Sequence, residues 1–490
     1  MKSLRQYAYL LGFGLLYLLI SVYFIATDQV YFVLSSFGLL ALYFAVFHTE
    51  FTFLALGFLT PLSVNIEEYV EGFGLFIPTE PILIALMLLL LMQQIKKNQI
   101  DPDFWKHPLV WAVGFYLFWI FITSITSTHP GVSFKFLLAK LWFIIPLLVF
   151  GHRIFSKVKN IRIFLWLFCV AMTIAVLYTL IVHASYGFGE KEGHWVMWPF
   201  FKDHTIYGAT VALVLPLIVG LFATRKSANY GPLTQWILII MIGIVLVGLY
   251  YSYTRAAWLS VVVALVVLLF IRFKVRFSIL ASIGVIALLF VIFSWDSIQM
   301  ELERNKFEHT TEEFGERLQS ATNVTTDASN LERLNRWDCA LEMFAERPVF
   351  GFGPGTYSFE YARFQDPENL TIISTNFGDG GNAHSEYLGP LSESGLLGML
   401  LMLTIVTLIF YKSITLYLKW PPAEKETRIF ILVMSLSLVT YFLHGILNNY
   451  LDTDKAAVPV WVFSAAFIGL EIGLKRRGLT EKSTNLDSSK

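Results

Sequence analysis

The chain has 490 residues, 56% of them hydrophobic and only 15% charged, with a formal net charge of zero. A soluble globular protein carries nearer a quarter charged residues, so this composition excludes an ordinary water-soluble domain. The charge balance gives no footing for a nucleic-acid partner.

Lys2 and Arg5 precede an apolar run too long for a signal-peptide core and without a small-residue cleavage site, which predicts a retained first span. In chain order the apolar runs fall at 6–25, 30–47, 51–64, 79–93, 108–126, 134–151, 162–183 and 205–223. They continue at 233–252, 255–271, 277–294, 391–411, 429–447 and 456–474. Most have the length a helix needs to cross about 30 Å of hydrocarbon. There a helix satisfies its own backbone, and the alternating pattern of a membrane barrel is absent. The weakest are 51–64, short and holding Pro61, and 134–151, carrying Lys135 and Lys140. The expected fold is therefore an all-α polytopic transmembrane bundle of 12–14 spans.

Orientation follows from Lys and Arg in the short loops. One side collects Lys96, Lys97, Arg153, Lys157, Lys159, Arg225, Lys226, Arg272 and Lys412, and the other little beyond Lys191, Lys202, Arg255 and Lys455. This places both termini in the cytoplasm. The expected organisation is a helical region at 1–294, a large extracytoplasmic loop at 295–390, further spans at 391–474 and a cytoplasmic tail at 475–490. The loop holds 17 acidic and 7 basic side chains. Within it, 329–346 has Leu331, Leu334, Trp337, Leu341 and Phe344 at helical spacing, predicting an amphipathic helix that Pro348 ends.

Ionisable residues at span ends are costly and by default functional. The outer side gathers Lys202 and His204, Arg255, Arg333 and Arg336, then His384, Glu386 and Glu393. Arg255 in YSYTRAAWLS suits phosphate oxygens, and equally suits an interfacial anchor beside Tyr250, Tyr251, Tyr253 and Trp258. Lys202 and His204, in FFKDHTIYG, carry the same two readings, with Asp203 able to neutralise either. His384 in NAHSEYLGPLSESG stands on a polar turn before a span, where it can take a proton from a hydroxyl, with Glu386 or Glu393 to orient it. A plain polar loop residue is the competing account. GFGPGTY (351–357) lacks the Lys-Ser/Thr of a phosphate-binding loop and predicts a turn on which the chain doubles back. Cys169 lies in a span and Cys339 in the polar loop, which argues against a bridge. No metal-ligating pattern appears.

Three stretches in this order resemble the family of O-antigen ligases and O-antigen polymerases, bacterial membrane glycosyltransferases. YSYTRAAWL is similar to that family's Ser-Arg-small-Trp stretch. ERLNRWDCALEMFAERPVFGFGPGTYSF resembles its Arg-x-x-x-Trp-x-x-Ala helix with the following Gly-rich turn. NAHSEYLGPLSESGLLG resembles its His-Asn/Ser-x-x-Leu…Glu-x-Gly re-entry segment. FKDHTIYGA is more loosely similar to a fourth stretch, with Lys202 where an Arg is expected; residues 1–190 match only in hydropathy.

The resemblance implies transfer of a glycan from a polyprenyl (undecaprenyl) diphosphate carrier to an acceptor hydroxyl, outside the bacterial cytoplasmic membrane, without nucleotide sugar, metal or other cofactor. It implies His384 as the base, Arg255 and Arg333 as cations on the departing diphosphate, and Arg336 as a weaker candidate for that work. Glu393 would orient His384 or the re-entry turn. The implied partners are the lipid-linked donor, a lipid A core or glycan acceptor, and membrane lipids. Ligase and polymerase share this chemistry, and the sequence does not separate them. A flippase or secondary transporter would instead show related halves and mid-span ionisable residues, and no internal repeat is found.

Overall fold

The computed structural model describes residues 2–27, 31–67, 74–96, 100–274, 293, 328–365 and 381–487. The expected span at 277–294, but for position 293, falls outside the described residues, as do 295–327 and 366–380. The described chain is a polytopic all-α bundle. Its first half comprises α1 (Lys2–Ala26), α2 (Tyr31–Phe47), α3 (Thr49–Leu59), α4 (Thr79–Lys96), α5 (Pro102–Trp105), α6 (Pro108–Ile125) and α7 (Pro130–Ile154). Then come α8 (Val158–Ser185), α9 (His204–Ala223), α10 (Pro232–Tyr250) and α11 (Arg255–Arg272). After the outlying segment follow α12 (Ala328–Glu346), α13 (Leu388–Lys419), α14 (Lys425–His444) and α15 (Asp454–Asp487). Prolines at the first position of α5, α6, α7 and α10 start those helices where the missing N–H costs nothing.

Nine of the described helices are long and apolar enough to cross a membrane. Both weak runs find an answer in the described helices. The run at 134–151 lies within α7, a full-length span of 25 residues. The run at 51–64 yields only the 11 residues of α3, about 16 Å at 1.5 Å per residue, too short to cross. Beyond α3 the chain pairs Val64–Asn65 antiparallel with Phe76–Ile77. A helix that stops inside the bundle leaves carbonyls without partners. Lys455, at the start of α15, supplies donors: its Nζ reaches the Thr60 carbonyl at 2.7 Å and the Ser63 carbonyl at 2.8 Å. Asp454, which accepts from the Ser63 hydroxyl, balances its charge.

The centre of the bundle is α9, α14 and α15, whose apolar windows are 78%, 72% and 83% buried. In contrast α11 buries 17% of its window, leaving an apolar flank for lipid. Small residues let α7 and α15 approach closely, since a Cβ on Gly469 would sit 2.1 Å from the His152 carbonyl. At one end of the bundle, ion pairs tie α8 to α14 through Arg162–Glu426 and α15 to α5 through Arg476–Asp101. The opposite end carries the connections 126–129, 186–203, 251–254, 347–365 and 381–387, with 445–453, which interlock as described next.

Candidate functional site

The Gly-rich turn anchors the segment after α12 to the bundle. Thr128 N–H donates to the Phe352 carbonyl (2.9 Å), and the Ser133 hydroxyl to the Pro354 carbonyl (2.8 Å). From the other side α13 breaks at Gly395, whose φ of 69° lies in the left-handed region. The break exposes backbone groups to the turn: Gly353 N–H donates to the Glu393 carbonyl (2.8 Å), and Leu396 N–H to the Pro348 carbonyl (3.0 Å). A Cβ at Gly395 would meet the Val349 carbonyl oxygen at 2.1 Å, so only glycine fits. The turn on which the chain doubles back, expected from GFGPGTY, is therefore wedged between the α6–α7 corner and the broken helix.

Glu393 belongs to that wedge. Its side chain accepts from Tyr357 N–H, a backbone group of the turn, at 3.0 Å. Glu386 is likewise engaged elsewhere, accepting from the Tyr441 hydroxyl (2.6 Å) and the N–H groups of Tyr450 (2.6 Å) and Leu451 (2.9 Å). Burial holds its carboxyl above the ordinary carboxylate range.

His384 sits in the left-handed region, φ 47°, with its own N–H donating to Asn382 Oδ1 at 2.9 Å. Its Nδ1 lies 3.4 Å from Asn448 Oδ1, and Asn448 Nδ2 lies 3.0 Å from His444 Nε2. The amide donates to His444, so its oxygen is the acceptor and His384 carries its proton on Nδ1, leaving the Nε2 lone pair open. Burial first, then the charges of Arg333 and Arg336, hold the His384 ring down to about 4, so it is neutral near pH 7.

The cations approach from two elements. On α12, the charge of Arg333 acts on the His384 ring. Arg336, one turn further on, is buried: its Nε donates to Glu332 Oε1 at 2.8 Å, its Nη1 to the Asn382 carbonyl at 3.3 Å, and its guanidinium lies over the Tyr361 ring. The face of α12 that is buried is Glu332, Arg336, Cys339, Ala340 and Met343. This corrects the stripe expected from apolar spacing, in which Leu341 is 44% exposed. A carboxylate four residues before an arginine lets the charged face turn inward as a neutral pair.

Arg255 opens α11, whose N-terminus is fixed to that of α9 by the Thr254 hydroxyl donating to the His204 carbonyl at 2.8 Å. Contacts run from His444 at the end of α14 through Asn448 to His384. His204 stacks on His194, with ring centroids 4.2 Å apart. Asp203 is the N-cap of α9, accepting from Thr205 N–H (2.8 Å) and Ile206 N–H (3.0 Å). Lys202 is exposed and borders a cavity of about 590 Å³ beside the 381–386 segment. Both cysteines are free. Among the described residues no three His, Cys, Asp or Glu side chains converge to hold a metal ion.

Sequence reasoning missed Asn448, in the short NNYLDTDK loop before α15, and the ion pair of Lys140 with Asp452 in the cavity wall (2.5 Å). Lys140 had a signal, a charge inside an apolar run; Asn448 had none.

Residues 236–403, roughly a third of the chain, match the family model described as O-antigen ligase. The match takes in Arg255, Arg333, Arg336, His384 and Glu393, and leaves out Lys202, His204 and Asn448. No curated protein matches the chain.

Proposed function

We propose, on the match of residues 236–403 to the family model described as O-antigen ligase, that the chain belongs to that family and transfers a glycan from a polyprenyl diphosphate carrier to an acceptor hydroxyl. The observation that carries the reading is the meeting of a neutral histidine, its Nε2 open, with the charge of Arg333 beside it.

The chemistry is a single displacement. The acceptor oxygen bonds to the anomeric carbon as its proton passes to His384 Nε2, and the bond from that carbon to the diphosphate oxygen breaks. Negative charge then grows on the leaving diphosphate, where Arg255 and Arg333 offer planar donors matched to phosphate oxygens. A base of this kind contributes about 10²–10⁴-fold. Arg336 acts through position: its pairing with Glu332 and its bond to the Asn382 carbonyl hold the turn that carries His384. Lys202 and His204 flank the same end and would meet the sugar or the diphosphate, while Glu393 keeps the Gly-rich turn docked.

This end of the bundle faces away from the cytoplasm in the proposed topology. The other end carries Lys106, Arg153, Lys157, Lys159, Arg162, Arg225, Lys226 and Lys425, the bias expected of cytoplasmic loops. A donor held in the bilayer then brings its diphosphate to headgroup level, where Arg255 starts α11.

The test is transfer in liposomes, with purified protein, a polyprenyl-diphosphate-linked glycan, a lipid A core acceptor and EDTA. Glycan moved to the core supports a metal-independent ligase. Glycan lengthening on its own carrier assigns the same chemistry to a polymerase. No transfer, with uptake of the glycan lipid into vesicles, overturns the reading in favour of a transporter.

A further inference from the structure

The cavity of about 590 Å³ has the size of a small-molecule site. Its wall includes Asn382, Ala383, Ser385 and Glu386, the residues on either side of His384, whereas His384, Arg255 and Arg333 do not border it. The left-handed turn at His384 sends the ring toward Asn448 while its neighbours face the cavity. Six charged side chains line the space: Lys140, Lys202, Asp203, Glu386, Glu393 and Asp452. Four carboxyl side chains and two lysines share the space, so it gathers no excess of cations for a diphosphate.

Three of those carboxylates are occupied, Asp203 as a helix cap and Glu386 and Glu393 with backbone N–H groups. Asp452 is different. Its side chain is 44% exposed, with Oδ1 on Lys140 Nζ at 2.5 Å. Lys140 itself is only 7% exposed, donates also to the Leu451 carbonyl (3.3 Å), and lies 5.1 Å from the Phe136 ring centroid. A lysine buried in a span is held at a cost, and here it presents a carboxylate to a cavity whose remaining wall includes the aromatic rings of Phe136, Tyr116 and Tyr357. A carboxylate that keeps lone pairs for hydroxyl donors, next to aromatic surface, suits a sugar ring.

We propose that this cavity is the acceptor-sugar subsite, that it takes an uncharged hexose or N-acetylhexosamine ring, and that Asp452, positioned by Lys140, accepts hydrogen bonds from its hydroxyls. The assignment rests on the glycan-transfer reading above. It leaves the acceptor ring on the cavity side of the 382–386 segment, with the reacting hydroxyl extending past that segment to His384 Nε2, and the diphosphate with Arg255 and Arg333.

The test uses the full chain in detergent and saturation-transfer NMR, with methyl β-glucoside, methyl N-acetyl-β-glucosaminide and methyl β-glucuronide as probes. Signals are expected from the first two and not from the anionic third. Asp452→Asn, which still accepts from Lys140, should weaken binding and raise the acceptor KM about tenfold or more, the loss of one hydrogen bond to a charged group. The donor KM should stay unchanged. Lys140→Arg should recover more of the binding than Lys140→Met. Glucuronide binding as well as glucoside overturns the proposal, and that arm needs no variant. Transfer that depends on His384 but ignores Asp452→Asn would remove the subsite and leave the transfer reading standing. Sugar binding that needs Asp452, in a protein with no transfer, would keep the subsite and remove the transfer reading.

Discussion

Asn448 holds His384. Its side-chain oxygen lies 3.4 Å from His384 Nδ1 while its amide nitrogen lies 3.0 Å from His444 Nε2, so one residue fixes which nitrogen of His384 carries the proton. The open Nε2 then follows from the network rather than from the histidine alone.

Replacing Asn448 with leucine removes that fixed tautomer at similar size. Transfer should fall about 10- to 100-fold, the scale for losing a partner that orients a functional histidine. The fall should lie in kcat, with the donor KM unchanged. Steady-state kinetics on the purified variant check it; an equal rise in the donor KM would mean that Asn448 shapes binding instead.

The pH profile reports the same ring. His384 is neutral above about pH 4, because burial and the charges of Arg333 and Arg336 oppose its protonation. A base is active unprotonated, so kcat/KM should rise with pH through about 4 and not through the ordinary histidine value near 6.5. Arg333→Met removes a nearby positive charge, favours the protonated ring, and should move that midpoint upward. For stability the sign is the same. Between pH 6.5 and about 4 the unfolded chain binds a proton that the folded ring does not, so this group's contribution is lost as pH falls through that window.

Arg333 and Arg336 should separate in a thermal melt. Arg336→Ala removes one end of the buried Glu332–Arg336 pair, and breaking such a pair costs about 3–5 kcal/mol. Arg333 is half-buried, and Arg333→Ala should reduce transfer with a much smaller loss of stability. In the double variant Glu332→Leu, Arg336→Met much of the lost stability should return, since no charge is left buried. Melting of the four proteins in one detergent measures this directly.

What was legible in the sequence was whatever a local pattern encodes. The apolar runs, the start of α11 at Arg255, the extent of α12 and the turn at GFGPGTY all follow from neighbours in the chain. The buried face of α12 did not, because the Glu332–Arg336 pair turns inward and displaces the apolar stripe toward the surface. Residues 51–64 read as a weak span, yet α3 stops after 11 residues and closes on Lys455, which stands nearly four hundred positions away. Lys140 looked like a defect in a span until Asp452 came to meet it. Asn448 reaches His384 across 64 positions of sequence, and an asparagine in a short loop carries no sign of such a partner.

The most direct test of the account is His384→Ala in the liposome transfer assay, compared with the unaltered protein at equal amounts of folded, membrane-inserted material. The account predicts a loss of at least about 10²-fold in turnover, the contribution of a general base, with the donor still bound. A variant that transfers glycan at the original rate would contradict it, because no other side chain is assigned the acceptor's proton.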